Sequence, residues 1–259
     1  AFGLEIAPEL GYPESFREPH QEQFMTNSIS HNLVVVNGTA QARVRDSVPN
    51  YFDDSTKVKF MDITSPSAYA SSTSIYRRAM FMIEASPEVS YYVDLFRVKG
   101  GGEHIYSFHP LSDKVYSVEG LNLTAKSGSY AGEDIPWGPS PTKNLNGFSW
   151  FGNVRKQDTP PKQFAIDYKI TDNRRTLPNS DTLDLHLKVH MMNDFGLSDV
   201  ALTWGLPPRL ASNAMFPRLE FLLARRKGTN LDSMFTTVFE PYSKNKYIQT
   251  IEPIVPVKV

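Results

Sequence analysis

The sequence predicts an all-β protein, a large antiparallel β-sandwich of about a dozen strands with little helix. Three observations carry that expectation. Short β-branched and aromatic segments recur along the chain with turn residues between them. Twelve tyrosines and sixteen phenylalanines favour sheet over helix. Only Arg209–Phe216 has a pattern able to make a helical turn or two. No repeat or compositional break divides the chain, so residues 1–259 read as a single sandwich domain.

In chain order, the expected strands begin with Leu33–Asn37, Gln41–Arg45, Lys57–Ile63 and Ile75–Glu84, followed by Tyr91–Lys99 and Glu103–His109. Asn37-Gly38 is a hairpin signal between the first two, and Pro49-Asn50 breaks the chain before the third. Gly100-Gly101-Gly102 reads as the short loop of a second hairpin, because glycine accepts the positive φ angles of tight connections. Alternation puts Tyr92, Asp94, Phe96 and Val98 on one face of that strand. A carboxylate among such neighbours needs a partner. Arg97 points to the opposite face, so the expected partner of Asp94 is a cation from another strand.

Residues 119–161 read as a structured Gly/Pro/aromatic-rich excursion over the sheet. Trp137, Phe148, Trp150 and Phe151 either anchor it or offer faces for stacking on sugar rings. Trp137 and Trp150 are therefore candidate substrate-binding residues. Strands resume at Phe164–Thr171, Leu183–Met191, Asp199–Trp204, Leu219–Lys227, Asp232–Glu240 and Tyr247–Ile251. In Leu183–His190 the leucines and valine alternate with charged residues and histidines, which predicts a half-buried strand with His186 and His190 at the surface.

Composition narrows the function classes. A net charge of −1 gives no argument for a nucleic-acid or membrane-surface partner, and no apolar run approaches the ~18 residues that span a bilayer. The absence of cysteine removes disulfides and thiol catalysis. No phosphate-binding loop, dinucleotide fingerprint, nucleophile elbow or zinc-finger spacing occurs. No signal peptide is visible, and the start at Ala1 without methionine reads as a cut inside a longer protein or as processing. Of the six histidines, His186 and His190 stand ~13 Å apart on a strand, too far to share a metal ion. His104 and His109 read as structural. His31 lies at a strand start, where it can serve as a hydrogen-bonding residue or as a metal ligand. The clusters Arg77-Arg78, Arg174-Arg175 and Arg225-Arg226-Lys227 are either attractors of acidic ligands or solvated strand ends.

Three blocks point to a family. Val93-Asp-Leu-Phe-Arg-Val-Lys-Gly-Gly-Gly-Glu-His-Ile-Tyr-Ser-Phe-His109 resembles a segment of the C-terminal β-sheet domain of heparinase II/III-like polysaccharide lyases. Glu9-Leu10-Gly11 followed by His31-Asn32-Leu33-Val34-Val35-Val36-Asn37-Gly38 is similar to the family's Asp-x-Gly and His-Asn-Thr-Val-x-Val-Asp-Gly motifs. Phe235–Tyr242 resembles its closing strand. The resemblance implies a periplasmic or secreted bacterial enzyme that cleaves glycosaminoglycan or alginate by β-elimination. This chain would form one wall of the acidic-polysaccharide cleft, and a missing N-terminal helical domain would supply most of the chemistry. By motif, His31 and Glu9 match two ligands of a structural zinc ion, with glutamate in place of aspartate. The third ligand, from a His-x-His-x-Asp segment, has no counterpart here, so zinc is expected to bind weakly or not at all to this chain and to require the longer protein. Tyr12 lies near the place of an active-site tyrosine in some members, although core packing would also account for it. Two other readings stay open, a non-catalytic carbohydrate-binding module and a structural sandwich that mediates assembly.

Overall fold

The computed structural model describes residues 1–10, 19–140, 145–172, 177–178, 182–207 and 217–252. Two antiparallel sheets face each other. The strands are β1 (Val34–Val36), β2 (Val48–Asp53), β3 (Val58–Thr64), β4 (Thr73–Glu84), β5 (Ser90–Gly100), β6 (Glu103–Phe108), β7 (Val115–Glu119), β8 (Thr124–Ala125), β9 (Gly152–Asp158), β10 (Gln163–Ile170), β11 (Leu185–Met192), β12 (Asp199–Gly205), β13 (Leu219–Lys227) and β14 (Asp232–Ser243). The smaller sheet runs β1-β6-β13-β12-β9-β8 and the larger β2-β3-β4-β5-β14-β11-β10-β7. The expectation of an all-β sandwich holds. The Arg209–Phe216 segment lies outside the described residues.

The two-residue period of a strand sorts side chains between two cores. Val34 and Val36, Tyr106 and Phe108, Val200 and Leu202, and Leu222 and Ala224 point from the smaller sheet into the space between the sheets. There they meet Phe96, Val98, Leu187, Val189 and Phe235 of the larger sheet. The intervening residues Val35, Ile105, Ala201, Phe221 and Leu223 face outward into a second core, roofed by Leu10, Phe24, Met25, Ile29, Trp150 and Phe151. Strands β1, β6, β13 and β12 are therefore buried on both faces over most of their length, which is why β1 and the first six residues of β13 read as nearly continuous apolar runs, whereas β8 and β9 at the far edge are partly exposed.

Several sequence expectations need correction. The three glycines do not close a hairpin: β5 and β6 belong to different sheets, and Gly100–Gly102 is the arch between them. Gly100 adopts φ +109°, and a Cβ there would collide with the Ser72 carbonyl. Asn37 and Gly38 make a turn with φ +52° and +61°, yet Gln41–Arg45 forms no strand. The chain instead crosses to the larger sheet, where β2 takes in Pro49 and Asn50 on an edge that tolerates proline. Tyr247–Ile251 is likewise not a strand. The 119–161 excursion contains β8 and the seven-residue β9, which pairs antiparallel with β12 through a register shift between Leu202 and Trp204.

His186 and His190 are buried rather than exposed, although their side chains do point away from the main core. The outer face of the larger sheet is covered at this point. His186 lies between Tyr242, stacked at 4.8 Å, and Tyr116, edge-on at 4.7 Å, with Asp167 2.9 Å from Nδ1. His190 Nε2 lies 3.0 Å from Glu240 Oε2, and the other oxygen of Glu240 accepts the backbone N–H groups of Tyr247 and Ile248. Alternation alone could not reveal that cover.

The partner of Asp94 is Arg78 on the neighbouring strand β4, as expected of a cation from another strand. Asp94 has no solvent exposure, and Arg78 Nε and Nη2 donate to its two oxygens at 2.9 and 2.8 Å. Tyr106 of the opposite sheet donates its hydroxyl to Asp94 at 3.0 Å. Removing one member of such a pair strands a buried charge. Asp94→Leu should destabilise the fold by about 3–5 kcal/mol in urea titrations, while Arg78→Met with Asp94→Leu should recover much of the loss. Equal stability of the single and double variants would show that the ion pair is not the reason.

Candidate functional site

Antiparallel pairing brings five strand ends to one rim of the smaller sheet. These are the start of β1, the end of β6, the start of β13, the end of β12 and the start of β9. The residues that the motifs single out lie at the β1 corner of this rim. Glu9 Oε1 lies 2.6 Å from His31 Nδ1 and also accepts the Leu10 backbone N–H at 3.0 Å. The hydrogen bond from His31 holds the Glu9 carboxyl below its ordinary value, against the opposing effect of burial. His31 is partly exposed, and its Nε2 makes no hydrogen bond among the described residues.

Asn32 fixes this corner. Its amide donates to the His109 carbonyl at 3.2 Å and its oxygen accepts the His109 backbone N–H at 2.7 Å, so one side chain clasps the end of β6. The Asn32 carbonyl in turn accepts from Arg78 Nη1 at 2.7 Å. The ion pair in the core and the rim are thus one connected network. His109 packs against Phe221 at 4.5 Å and is fully buried, and burial pushes its imidazole down to about 4. Glu9 and His31 are near enough to act on its charge. A cavity of about 360 Å³ opens beside Asn32 and Arg78, lined otherwise mainly by apolar groups such as Ile6, Phe108 and Phe239.

At the β9 and β12 end of the rim, Trp137 is half-exposed, whereas Trp150 is buried beneath it with only 6% exposure. Trp137 Nε1 donates to the Trp150 carbonyl at 3.0 Å, and the two rings meet edge-on at 5.6 Å. Only Trp137 therefore presents an indole face to a ligand. Tyr12 and the Arg174-Arg175 pair lie outside the described residues. The other arginine pairs are occupied internally: Arg77 with Asp62, Arg78 with Asp94, Arg225 with Asp199, and Arg226 with the Asp232 carbonyl. His104 is structural as expected, its ring nitrogens 2.8 Å from Ser233 Oγ and 2.6 Å from the Gly100 carbonyl. Sequence reasoning missed the joining roles of Asn32, Arg78 and His109. The Asn32 position in the His-Asn motif was the one available signal.

A zinc ion takes roughly four donors, and the Glu9–His31 pair amounts to two at most. Among the described residues, no group of three or more His, Cys, Asp or Glu side chains is arranged to hold a metal ion. The pair fits a partial site.

Fold and rim together define a two-sheet antiparallel sandwich with a polar corner built from Glu9, His31, Asn32 and His109. The same fold occurs in solved heparinase structures. A heparinase III, the BT4657 gene product, superimposes with a TM-score of 0.57 at 13% identity, covering 92% of this chain and 28% of that one. The heparan sulfate lyase HepC from Pedobacter heparinus gives 0.56 at 12% identity, covering 95% and 30%. A further heparinase III gives 0.53 at 9% identity, covering 92% and 28%. The chain thus spans less than a third of the length of these lyases while nearly all of it is matched. No protein-family model and no curated protein matches the sequence.

His109 predicts a pH dependence. Its folded value of about 4 lies below the ordinary 6.5, so the unfolded chain binds the proton first on acidification. The stability it contributes is complete above pH 6.5 and is lost as pH falls toward 4, about 3 kcal/mol in all. Denaturant titrations at pH 7 and 4.5 should show a smaller loss in His109→Gln than in the wild type. An identical loss would assign the acid sensitivity elsewhere.

Proposed function

We propose that this chain is the β-sandwich part of a heparinase-like polysaccharide lyase and that its rim forms one wall of a cleft for an acidic polysaccharide. The observation that carries this reading is the near-complete match of the chain to under a third of three lyase structures, with Glu9 and His31 in direct contact. β-Elimination needs the uronate carboxylate neutralised, the adjacent proton removed and the leaving oxygen protonated. An N-terminal helical domain of the longer protein would supply most of those groups. The β2–β3 hairpin, with exposed Val48, Tyr51, Phe52, Val58 and Met61, is a surface suited to such a neighbour. A periplasmic or secreted location goes with this reading.

The contact geometry supports a narrower reading than the two-ligand one expected from the motif, with His31 as ligand and Glu9 behind it. A His31 ring that donates Nδ1–H to Glu9 carries its free lone pair on Nε2. Zinc in the longer protein would then be held by His31 through Nε2, with Glu9 orienting the ring from behind. Zinc would supply structural cross-linking of the corner, with the remaining donors coming from upstream residues.

The 259-residue chain should release no unsaturated product from heparan sulfate or alginate by ultraviolet absorbance. The longer protein should release it and contain zinc by elemental analysis. His31→Ala in the longer protein should lose the zinc and melt at lower temperature, whereas His186→Ala should keep its zinc. Turnover by the short chain that survives repurification, or unchanged zinc in His31→Ala, would overturn the assignment.

A further inference from the structure

At the end of the rim away from Glu9 and His31 lies a groove of about 430 Å³ lined by Trp137, Trp204 and Arg218, with Gly152, Asn153 and Pro217 among the other residues around it. Its geometry follows from the local sequence. The Trp137 ring lies directly on Gly152, where a Cβ would stand 2.8 Å from Cδ1, so only glycine allows the indole to settle there. Trp204 is held by its Nε1–H, which donates to Glu220 Oε1 at 2.9 Å. The other oxygen of Glu220 accepts from Arg155 Nη2 at 2.5 Å. Both oxygens of that buried carboxylate are thereby engaged.

Arg218 is the unusual member. Its guanidinium stacks 3.8 Å above the Trp204 ring, yet it makes no hydrogen bond or ion pair among the described residues. Its Nε is buried without a partner. Glu220 is near enough to feel its charge, but that carboxylate's hydrogen bonds go to Arg155 and Trp204. A planar cation is oriented by an aromatic ring beside a half-exposed indole, and among the described residues no carboxylate hydrogen-bonds it. Guanidinium forks recognise carboxylates and sulfates, and indole faces stack on the C–H faces of pyranose rings.

We propose that the Trp137–Trp204–Arg218 groove binds an anionic sugar unit, a pyranose bearing a carboxylate or sulfate. The groove is three to four inter-strand steps along the rim from β1, roughly 14–19 Å, which suits a short oligosaccharide reaching from the Glu9–His31 corner. The inference rests on the acidic-polysaccharide reading for that continuity alone. Because the test reads binding by the 259-residue chain, loss of the zinc or turnover reading leaves it standing.

The chain has three tryptophans, and all three line or back this groove, so intrinsic fluorescence reports on it selectively. The chain would be titrated with a heparin-derived hexasaccharide, a hyaluronan hexasaccharide bearing carboxylates only, and neutral cellohexaose. Binding of either anionic probe with little response to cellohexaose is expected, and comparison of the two identifies sulfate or carboxylate as the favoured group. Arg218→Gln should weaken that binding at least tenfold with unchanged circular dichroism, and Trp137→Ala should weaken it similarly. Arg97→Gln, which removes an exposed arginine paired with Asp232 on the larger sheet, should leave it unchanged. Absence of binding, equal affinity for cellohexaose, or wild-type affinity in Arg218→Gln would each overturn the proposal. Equal weakening by Arg97→Gln would do so too, since it would show a nonspecific charge effect.

Discussion

A buried ion pair organises this protein. Asp94 sits without solvent exposure on the inner face of the larger sheet, and Arg78 on the adjacent strand neutralises it through two hydrogen bonds. Taking both charges out of water is costly, and the arrangement persists because every acceptor finds a donor. Asp94 raises the Arg78 guanidinium above its ordinary value despite the burial that opposes it. The remaining Arg78 donor reaches the Asn32 carbonyl, and Asn32 clasps the backbone at His109. The same pair takes the Tyr106 hydroxyl from the facing sheet. One carboxylate thus lies in a hydrogen-bonded network that joins the two sheets to the Asn32 corner.

The second constraint is that strands β1, β6, β13 and β12 of the smaller sheet have no solvent face. Its outer side is roofed by residues around Phe24 and Ile29 and by the aromatic segment ending at Phe151. A roof over the middle of a sheet leaves the strand ends as the accessible polar surface. That is where His31, Trp137 and Arg218 lie. The larger sheet solves the same problem differently, with buried polar pairs such as His186 with Asp167 and His190 with Glu240. Stacking between two tyrosines and a partner at each ring nitrogen make His186 structural.

Structural likeness to heparinases at 9–13% identity speaks to the path of the chain. At that identity, function has to be argued from particular side chains. At the Glu9–His31 corner the observation is a 2.6 Å contact in which the carboxylate orients the imidazole.

The sequence by itself determined the all-β class, the alternation that buries Leu185, Leu187 and Val189, and the need of Asp94 for a cation from another strand. These are local consequences of a two-residue period and of the cost of an unpaired charge, so they are legible without the fold. It also brought Glu9 and His31 forward, through motif resemblance. Only the tertiary structure decided that the three glycines arch between sheets, that His186 and His190 lie under cover, and that Arg78, Asn32 and His109 join the core to the rim. The same holds for the groove, where Arg218 meets Trp204 across a strand pair and Trp137 from a distant loop. Such contacts join residues far apart in the chain, and their partners are chosen by sheet order and register. Local pattern carries no information about which strand will lie opposite.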